Sequence, residues 1–191
     1  MKKIIIAAIL VALVSPVMAQ NAQPAAKAPA AVAPSAPAAP PLASGAEMAQ
    51  ESFGNWDLHC QSSPVHQCSV FQVQTVVQTR QRLLLLEVHA VGNNYEGAVV
   101  LPFGLDLKRN VSFQVDDSQP FATLPFETCM PSGCEVPIVF DPKVMAGLRM
   151  GTAIKIKVFA LNNKEPEKET IFTVPLKNFG QAIDRSVILA K

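Results

Sequence analysis

The stretch Arg82-Leu83-Leu84-Leu85-Leu86-Glu87-Val88-His89-Ala90 decides how this chain folds. Four leucines in a row carry no periodicity, so the run fits a buried central strand or a short helix. Its flank tips the balance. Glu87-Val88-His89-Ala90 alternates polar with apolar side chains, which is strand patterning. A strand this apolar belongs at the centre of a sheet.

Other strand-like runs lie on both sides of it. Residues 53–60 alternate around Trp56 and Leu58. Residues 68–77 alternate at Val70 or Phe71, then Val73 and Val76. Further runs cover 98–101, 111–115, 121–128 and 135–140. Residues 152–161 alternate clearly at Ile154, Ile156 and Val158, and 170–176 is the last candidate. Asn93-Asn94, Lys108-Arg109-Asn110 and Asp116-Asp117-Ser118 supply turn chemistry between runs. Two short helices interrupt the pattern. Asp141 is a good N-cap with Pro142 as first helical residue; Val144, Met145 and Leu148 share a face, and Gly151 can end the helix. Asn178 is expected to cap the second, with Phe179, Ala182, Ile183 and Ser186-Val187 turned inward. The expected fold is mainly β, a β-sandwich or partly closed barrel with one or two short helices.

Ahead of the domain the composition changes. Lys2 and Lys3 form a basic start, residues 4–14 are an unbroken apolar run, and Val17-Met18-Ala19 precedes Gln20. This reads as a signal peptide over 1–19, cut after Ala19. The apolar run is shorter than the roughly 20 residues a membrane-spanning helix needs. No cysteine follows the cut, and no transmembrane segment is expected after signal cleavage. Residues 20–50 form an Ala/Pro-rich linker, with Lys27 the only charge up to Ser44. Such a segment cannot bury a periodic apolar face and is expected to be disordered or partly polyproline II. A single β-rich domain is expected over 51–191, long enough for a real core.

Removing residues 1–19 takes two lysines and no acids, leaving 14 basic against 15 acidic side chains, a net charge of −1. A near-neutral chain argues against nucleic acid as a partner, because phosphate neutralisation drives that binding, and against a strongly electrostatic membrane dock.

Four cysteines remain: Cys60, Cys68, Cys129 and Cys134. An even count in an exported chain reads as disulfides. Three pairings are possible, and nearness in sequence favours Cys60–Cys68 and Cys129–Cys134. Loops this short stabilise by about 2–3 kcal/mol each in the chain-entropy account. In Cys129-Met130-Pro131-Ser132-Gly133-Cys134 the Pro and Gly suit a type I turn, which sets the cysteines opposite each other on a hairpin. Catalytic dithiols are usually Cys-x-x-Cys at a helix start, and this spacing differs.

His59 and His66 beside Cys60 and Cys68 raise the question of zinc. The spacing fits no standard site, and on a strand His59 points away from Cys60. His89 is a lone strand histidine. Asp116-Asp117 could be an acid pair or calcium ligands, but neighbours on a strand point apart and Asp-Asp-Ser is common turn material. Trp56 reads as core, with a surface anchor as the alternative. Nucleophile-elbow, zincin and phosphate-loop motifs are missing. No catalytic, cofactor-binding or metal residue and no enzyme activity is therefore expected.

Several motifs together resemble the invasion-associated locus B family of exported bacterial proteins. They are Phe53-Gly54-Asn55-Trp56 leading to Cys60, Leu101-Pro102-Phe103-Gly104-Leu105-Asp106-Leu107, Val111-Ser112-Phe113-Gln114-Val115-Asp116, the Cys129–Cys134 hairpin, and Phe179-Gly180-Gln181-Ala182-Ile183. The likeness spans about residues 51–187. It implies a β-rich protein of the periplasm, outer-membrane associated or secreted, in a family named for host-cell entry. It carries over no catalytic residue. The expected function is contact with an envelope or host protein through a surface the sequence does not mark. The alternatives are a binding module for a small apolar or glycan ligand, and an enzyme of unrecognised type.

Overall fold

The computed structural model describes residues 48–61, 67–161 and 168–190. The expected signal peptide, the linker up to residue 47 and His66 lie outside them. In chain order the strands are β1 (Met48–Phe53), β2 (Trp56–Gln61), β3 (Gln67–Thr75), β4 (Arg82–Val91), β5 (Asn94–Leu101), β6 (Val111–Val115), β7 (Ala122–Leu124), β8 (Thr128–Met130) and β9 (Gly133–Phe140). Helix α1 (Pro142–Met150), β10 (Ala153–Phe159), β11 (Glu169–Pro175) and helix α2 (Phe179–Leu189) complete the chain. Two antiparallel sheets form, ordered β1-β2-β3-β4-β5-β9-β8 and β11-β10-β6-β7. Neither closes into a barrel, so the fold is a β-sandwich.

The leucine run is β4, the middle strand of the larger sheet. Leu84, Leu86 and Val88 face the core and Leu85 faces outward, half-buried, while Leu83, beside the register shift against β3, packs on the core edge. One core serves both sheets. Trp56, Leu58, Val70, Leu86 and Val99 of the large sheet meet Phe113, Ile154, Ile156 and Val174 of the small one, and Phe179, Ala182 and Ile183 of α2.

Three expectations change. Residues 53–60 are a hairpin: β1 and β2 pair from Phe53↔Trp56 to Met48↔Gln61, and Gly54 turns the chain at φ +67°. That positive φ suits a glycine leading a two-residue hairpin turn. A Cβ there would also lie 2.8 Å from the Asn178 side chain at the foot of α2. Residues 121–128 split between sheets, β7 joining the small one and β8 the large. Pro125 stands between them, where it cannot donate to a ladder. In β3 the open choice is settled for Val70: Val70 and Gln72 face in, while Phe71 and, against expectation, Val73 face out.

Gln72 is tolerated inside because it is satisfied there. It is 2% exposed, and its Nε2 donates to the Pro175 carbonyl (3.2 Å). Trp56 Nε1 donates to the same oxygen (3.1 Å), and Gln74 Nε2 donates to the Thr173 carbonyl (2.8 Å). Lys168 and Leu176, which flank β11, bond toward β10 and its ends, so the odd-numbered carbonyls of β11 point away from it. Large-sheet side chains thus occupy part of an edge that would otherwise be open to strand addition, and they tie the sheets together.

Both helices start near the expected residues. Asp141 Oδ1 accepts from Val144 N–H (2.8 Å), Pro142 follows, and Gly151 ends α1. Gly151 is demanded by packing, since a Cβ would come within 2.3 Å of Val115 Cγ1. Asn178 precedes α2 but sits at φ +68° and makes no side-chain cap. Helix α2 turns Phe179, Ala182, Ile183, Arg185, Ser186 and Leu189 inward. Buried Arg185 has no apolar signature, and its partner is Glu51 on β1.

Candidate interaction surface

The register of the large sheet places chemistry on its outer face. Odd-numbered residues of β2, β3, β4 and β9 point outward, with the even-numbered ones of β1 and β5. Two cross-strand rows matter. One runs Asp57, Phe71, Glu87, Ala98, Pro137; the next runs Val73, Leu85, Val100, Glu135. Phe71, Val73, Leu85 and Val100 are thus neighbours, with cross-strand Cβ separations of about 5 Å. Val73 is 45% exposed.

A groove of about 470 Å³ lies over β1 to β4 on this side. Its lining combines Met48, Phe71, Val73 and Leu85 with His59, Gln61, Gln67, Ser69 and Glu87. The His59 ring meets the edge of Phe71 at 4.9 Å between centroids. The face carries Asp57, Glu87, Glu96 and Glu135, with Arg82 opposite outward Thr75 at its margin, so it is mainly acidic around an apolar centre.

The residues singled out for chemistry separate. Cys60 opposes Cys68 and Cys129 opposes Cys134, with sulfurs 2.02 and 1.93 Å apart. Cys60 and Cys68 are buried on the inner face while His59 points out. His89 lies on the outer face between Ser69 and Glu96, and its Nδ1 is shielded with no hydrogen bond among the described residues. Trp56 is fully buried in the core. No three His, Cys, Asp or Glu side chains converge as a metal site among the described residues.

Asp116 and Asp117 point to different tasks. Asp116, at φ +50°, accepts from Thr152 N–H (3.1 Å) and Ala153 N–H (2.9 Å) and so fastens the start of β10. Exposed Asp117 pairs with Lys155 Nζ at 2.5 Å. The backbone hydrogen bond from Thr152 holds the Asp116 carboxyl below its ordinary value, against a smaller opposing contribution from desolvation. A depressed folded value contributes stability above the unfolded pKa of about 3.9, lost as pH falls through the folded value. Acid unfolding followed by circular dichroism should therefore be shallower below about pH 4 in Asp116→Asn than in the parent. Superimposable acid limbs would remove this role.

The outward apolar row escaped the sequence reading. Its only sequence signal is that β4 and β3 carry apolar residues at consecutive positions, Leu83 to Leu86 and Val70-Phe71, more than one buried face can use.

Comparison with known proteins bears on identity. Residues 56–187 match the profile described as "Invasion associated locus B (IalB) protein". The chain is 39% identical over 152 residues to an invasion protein B homolog of Brucella abortus, covering 78% of this chain and 86% of that one. It is 30% identical over 151 residues to invasion protein B of Bartonella bacilliformis, covering 78% and 81%. The crystal structure of invasion associated protein B from Bartonella henselae superposes with a TM-score of 0.67 at 26% identity, over 74% of this chain and 97% of that one.

Proposed function

Because the chain belongs to the invasion associated locus B family, we propose that it is an exported envelope or secreted protein. It acts by protein–protein contact through the outer face of its seven-stranded sheet. The observation that carries this is the outward cluster Phe71, Val73 and Leu85, backed by nearly buried Val100, an apolar centre within an acidic surround. Apolar centres with polar rims are the anatomy of protein interfaces, and the excess of carboxylates around this one favours a partner that is basic around an apolar anchor. Export is supported by the leader over 1–19 and by two cysteine pairs that need an oxidising compartment to close. The relatives' names point to host-cell entry as the setting.

The groove also favours a second reading. Its volume falls within the range of small-ligand sites, and it mixes an aromatic ring with amides and a carboxylate, as a glycan or small amphipathic ligand would use.

Val73→Glu puts a charge on the most exposed member of the cluster. Affinity capture from envelope extracts and host-cell membranes, compared with the parent, should lose its partner by about tenfold or more. Equal recovery by both, or no partner and no host-cell binding by the parent, would sink the contact reading. Partner-independent retention of glycans would move the assignment to the second reading.

A further inference from the structure

The motif Leu101-Pro102-Phe103-Gly104-Leu105-Asp106-Leu107 has no part in the sheet-face reading. It leads from β5 into β6 at the end of the sandwich where β10 also finishes. Leu105 is buried, but Phe103 is 61% exposed and Leu107 47%. Leu161, just beyond β10, is 67% exposed and lies beside the loop, its N–H donating to the Gly104 carbonyl (2.8 Å). Three large apolar side chains thus sit in water at one end of the molecule.

Their exposure is held by a fixed backbone. Leu105 bridges Ala160, and Asp106 N–H donates to the Phe159 carbonyl (2.8 Å). Arg109 N–H donates to the Asp106 carbonyl (3.2 Å), and Lys108 N–H to Asp106 Oδ1 (3.1 Å). Pro102 has no N–H to satisfy. Arg109 also stacks over the Phe159 ring, 3.3 Å from its centroid. A loop whose base is fixed by these backbone bonds presents its apolar tips at the interfacial depth, where headgroups and water can serve the remaining backbone groups. The next side chains in the chain, Lys108 and Arg109, are cationic. Apolar tips backed by cations are the chemistry of contact with an anionic lipid surface. The acidic outer sheet face lacks that chemistry.

We propose that this loop docks the protein on a membrane. Phe103, Leu107 and Leu161 enter the headgroup region of an anionic bilayer, and exposed Lys108 lies against its phosphates. This surface is separate from the sheet face and does not depend on the contact proposed there.

The test is co-sedimentation of the full exported protein with phosphatidylethanolamine–phosphatidylglycerol vesicles and with phosphatidylcholine vesicles. The parent should bind the anionic vesicles, and added salt should weaken that binding. The double variant Phe103→Ser/Leu107→Ser should bind about tenfold or more weakly, and Lys108→Glu about fivefold. Both leave the core untouched, so melting temperatures should match the parent's. If the double variant melts early, Leu161→Ser on the neighbouring strand end carries the same expectation. Failure of the parent to sediment with either vesicle overturns the proposal. So does equal binding by parent and variants. Loss of a captured protein partner by the double variant, with no vesicle binding by the parent, would reassign the loop to protein contact and overturn the lipid assignment.

Discussion

Trp56→Ala should cost about 3–5 kcal/mol and leave little of the stability typical of a domain this size, roughly 5–15 kcal/mol. Trp56 is 0% exposed, stacks at a tilt on Phe179 of α2 with centroids 4.8 Å apart, and donates through Nε1 to the Pro175 carbonyl of β11. One side chain therefore joins β2, the small sheet and the last helix. Truncation removes the apolar filling, opens a cavity and takes a donor from a carbonyl still served by Gln72. Trp56→Phe keeps most of the filling and should cost only about 1–2 kcal/mol. The difference separates packing from the hydrogen bond. Urea unfolding followed by circular dichroism measures both variants. In the parent, Trp56 is the only tryptophan, so its fluorescence should be blue-shifted when folded and move red as the core opens. A loss below about 1 kcal/mol for the alanine variant would show that the three elements are joined by something else.

Glu51→Ala should cost about 2–4 kcal/mol and loosen α2 before the rest of the fold. Arg185 Nε and Nη2 both reach the Glu51 carboxylate, at 2.9 and 2.6 Å, and Arg185 is 9% exposed. Surface ion pairs are worth little. This one differs because the guanidinium is withdrawn from water, so taking its carboxylate away leaves a desolvation cost in place. The pair also links the first strand of the domain to its last helix, two elements about 130 residues apart in sequence. Glu51→Gln, which keeps an acceptor and drops the charge, should lie between parent and alanine variant. Hydrogen exchange should show α2 amides losing protection selectively in Glu51→Ala. A double-mutant cycle with Arg185→Ala gives the coupling directly, and a value near zero would contradict the role assigned to the pair.

Strand content was readable because its cause is local. Ile154, Ile156 and Val158 alternate with Lys155 and Lys157, and the lysines face solvent beside Asp117 and Glu169 as half-exposed strands require. Asp141-Pro142 marks a helix start by chemistry that needs no tertiary partner. The cysteine pairing was readable for a similar reason, since short-range bridges follow hairpin register.

The phase of β3 was not readable. Alternation treats apolar residues as inward, and a run that offers Val70 or Phe71, then Val73 and Val76, supports either phase. Val70 and Gln72 face in because a carbonyl of the other sheet waits over Gln72, a partner some 100 residues away that no local pattern can announce. The same open phase hid the candidate surface, and Arg185 escaped notice in the same way.

By itself, then, the sequence determined the class of fold, the helix starts, the neighbouring cysteine pairs and the absence of a recognisable catalytic motif, all properties written in periodicity and short spacing. Only the tertiary structure decided which face of β3 looks outward, where Glu51 meets Arg185, and how the outer sheet face and the Phe103 loop gather their apolar side chains. Those outcomes depend on hydrogen bonds and register between strands far apart in the chain, where the energy of a side chain is set by its partner and not by its own hydropathy.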